Sequence, residues 1–180
     1  MSESGEHWEV PWATVFESST WTPERAELAK SFAAAIRQTG SLMVLMTQAA
    51  AERIGINATD LNCLNILSFS GKLTAGELAK ATGLTTASIT GVVDRLEQAG
   101  LVRRERDAQD RRRVLIHLNA QRALAMIGPV FGPMLGAFQR LADQYTADEL
   151  QLIVEFYAHL QDVIRDHLTR LRESDRAETP

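Results

Sequence analysis

Six arginines fall within the fourteen residues from Leu101 to Val114, namely Arg103, Arg104, Arg106, Arg111, Arg112 and Arg113, against Glu105, Asp107 and Asp110. Guanidinium groups at that density suit one kind of chemistry, the recognition of phosphate oxygens through charge and forked N–H donors. The whole chain of 180 residues carries −4, while this stretch alone carries +3 and the remainder −7. Positive potential is therefore focused on one small element. An acidic body with one basic edge orients on a polyanion and suppresses sticking elsewhere, which makes a nucleic acid the expected partner.

The residues ahead of the arginines must position them. Thr74-Ala75-Gly76-Glu77 has the form of a capping box, in which the Thr oxygen and the Glu carboxylate satisfy helix-end amides reciprocally. Leu78, Ala79 and Ala81 give that short helix an inner face, and Gly83 suits a left-handed turn at its end. A second helix starts at Thr85-Thr86. Ile89, Val92, Val93 and Leu96 gather on its inner side, leaving Ala87, Ser88, Thr90, Gly91, Asp94 and Arg95 outside. That outer side is slim enough for a major groove about 12 Å wide. Ser88 and Thr90 can bond base edges or phosphates, and Arg95 can reach a guanine or a phosphate.

After Gly100, Leu101 to Arg106 reads as a strand, and Val114, Ile116 and Leu118 alternate in a returning strand. The tip between them, residues 107–113, holds three successive arginines, Arg111, Arg112 and Arg113. An arginine inserted into a narrow minor groove gains from the enhanced negative potential there. The expected fold is mostly α with a small β wing, a winged helix-turn-helix with long N- and C-terminal dimerisation helices. The expected DNA-binding set is Thr85, Thr86, Ser88, Thr90, Gly91, Asp94, Arg95, Asp110, Arg111, Arg112 and Arg113.

Residues 73–118, LTAGELAKATGLTTASITGVVDRLEQAGLVRRERDAQDRRRVLIHL, resemble the MarR family of transcriptional regulators. The match runs through helix, turn, recognition helix with Asp94-Arg95-Leu96, a glycine before the first strand, and a D-x-R wing tip. A looser resemblance, helical flanks on both sides, spans about residues 22–171. It implies that Arg112 enters the minor groove and that Asp110 orients it. It also implies a ligand crevice where the dimer helices meet the winged domain, whose lining would include Met43, Met46, Cys63, Phe131 and Phe138. Ordinary core packing explains the same five residues. The family ends its second strand with L-T-x-x-G, whereas this chain has Leu118-Asn119-Ala120-Gln121-Arg122; Asn119 can still cap a helix.

The flanks carry the remaining pattern. Residues 1–21 hold all three tryptophans, Trp8, Trp12 and Trp21, and this aromatic tail is expected to pack on its own fold or on a partner subunit. Thr22-Pro23-Glu24 starts a helix whose apolar residues Leu28, Phe32, Ile36, Met43, Met46 and Ala50 recur at helical spacing. Gly40 is a candidate bend. Ending near Gly55, this helix would span about 45–50 Å, so its apolar stripe calls for a second chain. Residues 22–58 are thus read as a dimerisation helix and 59–118 as the winged domain, with a helix from Thr59 to about Ser70. Residues 119–172 are read as C-terminal dimerisation helices and 173–180 as a disordered tail. Gly128-Pro129 and Gly132-Pro133 predict a kink or break within 128–133, and Thr146-Glu149 a second capping box. Beyond it Leu150, Ile153, Tyr157, Leu160, Ile164, Leu168 and Leu171 form another stripe.

Other classes find little support. No phosphate-binding glycine loop follows a strand and no nucleophile motif is present, so no catalytic residue and no cofactor is expected. Glu155 and His159 share a helix face without further ligands, so no metal is expected. The lone Cys63 fits a buried thiol better than a redox sensor. No signal peptide or membrane span is read, and a cytoplasmic protein is expected. The leading expectation is a homodimeric regulator binding pseudo-palindromic double-stranded DNA, a repressor released by a small apolar or aromatic effector. A thiol switch through Cys63 and a winged-helix protein-interaction module are the alternatives.

Overall fold

The structure is a computed structural model; it describes the backbone of residues 20–177 and the side chains of residues 20–172. Trp8 and Trp12 lie outside the described residues. The chain divides into two compact units, Met1–Ile127 and Gly128–Pro180.

In the first unit, α1 runs from Pro23 to Ile54. The Thr22 hydroxyl accepts from the Arg25 amide at 3.3 Å, and Pro23 sits where no amide donor is needed. Gly55 ends the helix with φ +82°, and its amide and that of Ile56 reach back to the Ala51 carbonyl. Gly40 does not break it. Helix α2, Ala58–Ser70, is capped by Asn57. A two-residue strand β1, Leu73–Thr74, precedes α3, Ala75–Thr82. Helix α4, Thr86–Gln98, leads through Gly100 at φ +71° into β2, Val102–Arg106, which pairs with β3, Val114–Leu118. The antiparallel sheet has order β1-β3-β2. Sequence reading found β2 and β3 but not β1.

The core of this unit gathers one face from each element. Leu64 and Leu67 of α2, Leu78 of α3, Ile89, Val93 and Leu96 of α4, and Leu101 and Ile116 beside and within the sheet are essentially inaccessible. Each such side chain contributes about 1.5–3 kcal/mol of burial free energy. Helix α5, Ala120–Ala142, starts in this unit, where Ala123 joins the core. Asn119 caps it as expected, its side chain accepting from the Arg122 amide at 3.3 Å and donating to the Gly100 carbonyl at 3.0 Å.

Of the kink or break expected within residues 128–133, the break does not occur: α5 passes through Pro129 and Pro133 without interruption. Each proline follows a glycine, Gly128 and Gly132, so no Cβ crowds the proline ring from the preceding residue. The remaining cost falls on the carbonyls of Ala125 and Pro129, which receive no amide donor from the prolines four residues on and are crowded by their rings.

The second unit contains the remainder of α5 and α6, Ala147–Ala177. The expected capping box starts α6: the Glu149 carboxylate accepts from the Thr146 amide at 2.7 Å, and the Thr146 hydroxyl accepts from the Glu149 amide at 3.3 Å. The helix continues past residue 172, where the sequence suggested a disordered tail, as far as Ala177. Val154, Tyr157, Ile164, Leu168 and Leu171 are exposed along it. Among the described residues no helix is long and apolar enough to cross a membrane.

Candidate nucleic-acid interface

Helix α4 is built to offer one edge to a groove. Its inner residues Ile89, Val92, Val93 and Leu96 are buried, and Thr86, Ala87, Ser88 and Thr90 are exposed. Thr85 caps it, accepting from the Ser88 amide at 3.1 Å, with its hydroxyl 2.8 Å from that of Ser88. The Thr90 hydroxyl donates to the Thr86 carbonyl at 3.0 Å, which leaves its lone pairs outward. The capping box of α3 sets the angle of the preceding helix. The Glu77 carboxylate accepts from the Thr74 amide at 2.7 Å, which, with the Thr74 hydroxyl, holds the Glu77 pKa below the usual carboxylate range.

The two acid–base residues at the end of the outer face do not stand free. Arg95 donates from Nε and Nη2 to Asp60 of α2 at 3.0 and 2.7 Å, a forked pair on a carboxylate that is only 2 % exposed. Asp94 accepts from Arg104 of β2 at 2.6 Å, and Glu97 accepts from the other terminal nitrogen of Arg104. Of the Arg95 fork, expected to reach a guanine or a phosphate, Nε and Nη2 are thus taken by Asp60. Asp94 ties the helix to the wing. Nothing local in the sequence announces the Asp60 contact, which joins residues 35 positions apart.

The wing tip is shaped by its own aspartates. Asp110 accepts from the Arg112 amide at 3.0 Å through its side chain and from the Arg113 amide at 2.9 Å through its carbonyl. Asp107 likewise holds the Gln109 amide at 2.8 Å. Asp110 thus holds the backbone of Arg112 in the turn. Arg113 turns back to Glu77 at 2.9 Å. Among the described residues Arg111 and Arg112 make no ion pair, so two of the three expected tip arginines remain available.

A hollow of about 260 Å³ lies between α4 and the wing, lined by Ala75, Thr90, Val93, Arg104, Val114 and Ile116. None of the five residues expected to line a ligand crevice borders it. Cys63 is sealed in the core, where burial first and Asp60 second push its thiol up to about 11. Met43 lies exposed on α1 and Met46 half-buried, while Phe131 and Phe138 belong to the second unit. No group of three or more potential metal ligands occurs among the described residues.

The MarR family model matches residues 56–114, the segment from the end of α1 to the start of β3. An uncharacterized HTH-type transcriptional regulator of Bacillus subtilis, YcgE, is 43% identical over 150 residues, which is 83% of this chain and 96% of that protein. The chain belongs to the MarR family. It is a DNA-binding transcriptional regulator, and regulators of this family are transcription factors rather than enzymes. Solved structures agree on the fold. A MarR family protein from Bacillus stearothermophilus superposes with TM-score 0.56 at 23% identity, covering 82% of this chain and 99% of that one. A MepR variant from multidrug-resistant S. aureus superposes with TM-score 0.60 at 22% identity, covering 75% and 96%. Within the MarR pattern, Asp94-Arg95 of α4 and Asp110 and Arg112 of the wing are the positions whose contacts are described above.

Proposed function

We propose that this MarR regulator acts as a homodimeric repressor, working in the cytoplasm on a pseudo-palindromic operator and released by a small apolar or aromatic ligand. The observation that carries the reading is the pairing of a slim, hydroxyl-bearing edge of α4 with a wing tip whose Arg111 and Arg112 are unpaired among the described residues. Thr85, Thr86, Ser88, Thr90 and Gly91 face the major groove, and Arg111 and Arg112 track the adjacent minor groove. Asp110, Asp94 and Arg113 serve that surface from behind, by fixing the tip, the helix-to-wing link and the wing-to-α3 link.

Dimerisation is supported by the exposed stripes of α1 and α6, which a single chain leaves uncovered. Two copies related by a two-fold axis would present α4 to successive major grooves about 34 Å apart. A ligand that alters this spacing lowers affinity without touching DNA. A thiol switch is disfavoured by the inaccessible, protonated Cys63.

Selection from random DNA, followed by titration of the recovered duplex against wild type and Arg112→Ala, tests the reading. Arg112→Ala is expected to weaken binding about ten-fold and to reduce the salt slope by about 1. Recovery of no preferred duplex would favour the protein-interaction alternative.

A further inference from the structure

We infer that Arg95 divides its guanidinium between two partners, Nε and Nη2 to the Asp60 carboxylate and Nη1 to a phosphate of the bound duplex. Asp60 is then a positioning residue for DNA binding. The inference rests on the reading of α4 as the groove helix.

The geometry separates the two halves of the side chain. Asp60 is buried, its amide held by the Asn57 side chain at 2.8 Å, and it engages only one edge of the fork. The Arg95 side chain is nonetheless 51% exposed. Its Nη1 lies back along the helix, 3.6 Å from where a Cβ on Gly91 would sit. Nη1 thus lies beside α4, with no hydrogen bond from it among the described residues.

The class of contact follows from the tether. A guanidinium pinned at the flank of the helix cannot extend to the floor of the groove, where base edges lie. It can meet the wall, which is phosphate. A planar group with five donors can bond a carboxylate and a phosphate together; a lysine ammonium on one flexible stem cannot hold both in fixed geometry. Holding the side chain in place before DNA arrives also removes the cost of ordering it on binding. Stability alone is a poor reason for the pair, since burying a carboxylate against a half-exposed arginine gains little over an apolar pair of similar volume.

The test uses the full chain with Arg95→Lys, Asp60→Asn and Arg112→Ala as reference. Binding to the selected duplex and to a scrambled duplex of the same length is measured across salt, with thermal melting alongside. Arg95→Lys keeps a charge for Asp60 and is expected to melt close to wild type. It should bind both duplexes about ten-fold more weakly, with an unchanged ratio between them and a salt slope shallower by about 1. Asp60→Asn frees an intact arginine, so affinity should fall about five-fold, as for immobilising one long side chain, with the slope retained.

Wild-type affinity in Arg95→Lys overturns the inference. So does a loss confined to the selected duplex, which would mean base reading. Should Arg95→Lys lower the melting temperature, Asp60→Asn decides: weaker binding at constant slope supports the inference, and unchanged binding ends it. If Arg112→Ala is silent as well, the groove-and-wing reading itself has failed; if Arg112→Ala weakens binding and Arg95→Lys does not, only the present inference has.

Discussion

In α4 the apolar residues Ile89, Val92, Val93 and Leu96 are all buried, whereas α6, with Tyr157, Ile164, Leu168 and Leu171 at the same helical spacing, buries none of its described residues. The two helices have equally regular patterns and opposite fates. In α4 the chain itself supplies the cover, from α2, α3 and the sheet. In α6 it does not, and the apolar stripe along its 31 residues is the surface that the proposed dimer would cover. Periodicity identifies the apolar face; only the count of available partners says whether that face is core or interface.

The comparison can be broken from either side. The largest effect is expected on the uncovered face: Ile164→Glu with Leu168→Glu should give a monomer in sedimentation, with operator affinity lower by about 100-fold or more through loss of bivalent engagement. A dimer that survives both substitutions would place the interface elsewhere. On the covered face, Ile89→Ala should cost about 2–5 kcal/mol. Chemical denaturation of the variant measures this directly, and a loss near zero would mean that α4 is not locked in the core.

The smallest effect concerns pH. His117 of β3 is 6% exposed, with Nε2 3.1 Å from Glu105 but without a hydrogen bond. Burial lowers its pKa below the ordinary 6.5, aided by Lys72 and Arg103 and opposed by Glu105. Burial prevails because the contact with the exposed Glu105 is screened while the loss of hydration is not. The folded state therefore favours the neutral ring. Its contribution to stability is full above pH 6.5 and is lost as pH falls through the folded value. Wild type should lose melting temperature relative to His117→Gln as pH falls below 6.5. Parallel profiles for the two proteins would remove His117 as the cause. Glu77 and Glu149, whose pKa values are lowered by their capping bonds, act in a separate and more acidic window, below 4.5.

Most local structure was legible because local rules specify it. Thr74 with Glu77 and Thr146 with Glu149 announce helix starts by four-residue chemistry, and Gly55 and Gly83 mark ends by their left-handed backbone. What escaped was non-local or doubly used. Strand β1 has two residues, too few for an alternation, and Thr74 also serves as the cap of α3. Helix α5 is continuous where each proline follows a glycine, a detail that a rule about proline alone misses. At the candidate interface the sequence singled out residues on α4 and the wing but could not say which were already engaged, since Arg95, Arg104 and Arg113 meet carboxylates up to 36 positions away.

The Arg104 bridge to Asp94 and Glu97 has a mechanical meaning for the duplex. Strapped to α4 on one side and continuous with the hairpin on the other, β2 makes helix and wing a single stiff gauge. Within one winged domain, misfit to the grooves is then taken up by the DNA. Sites with easily kinked pyrimidine–purine steps between the groove contacts would fit the gauge at lower elastic cost than stiff A-tracts, so the regulator would discriminate among sequences at positions it never touches.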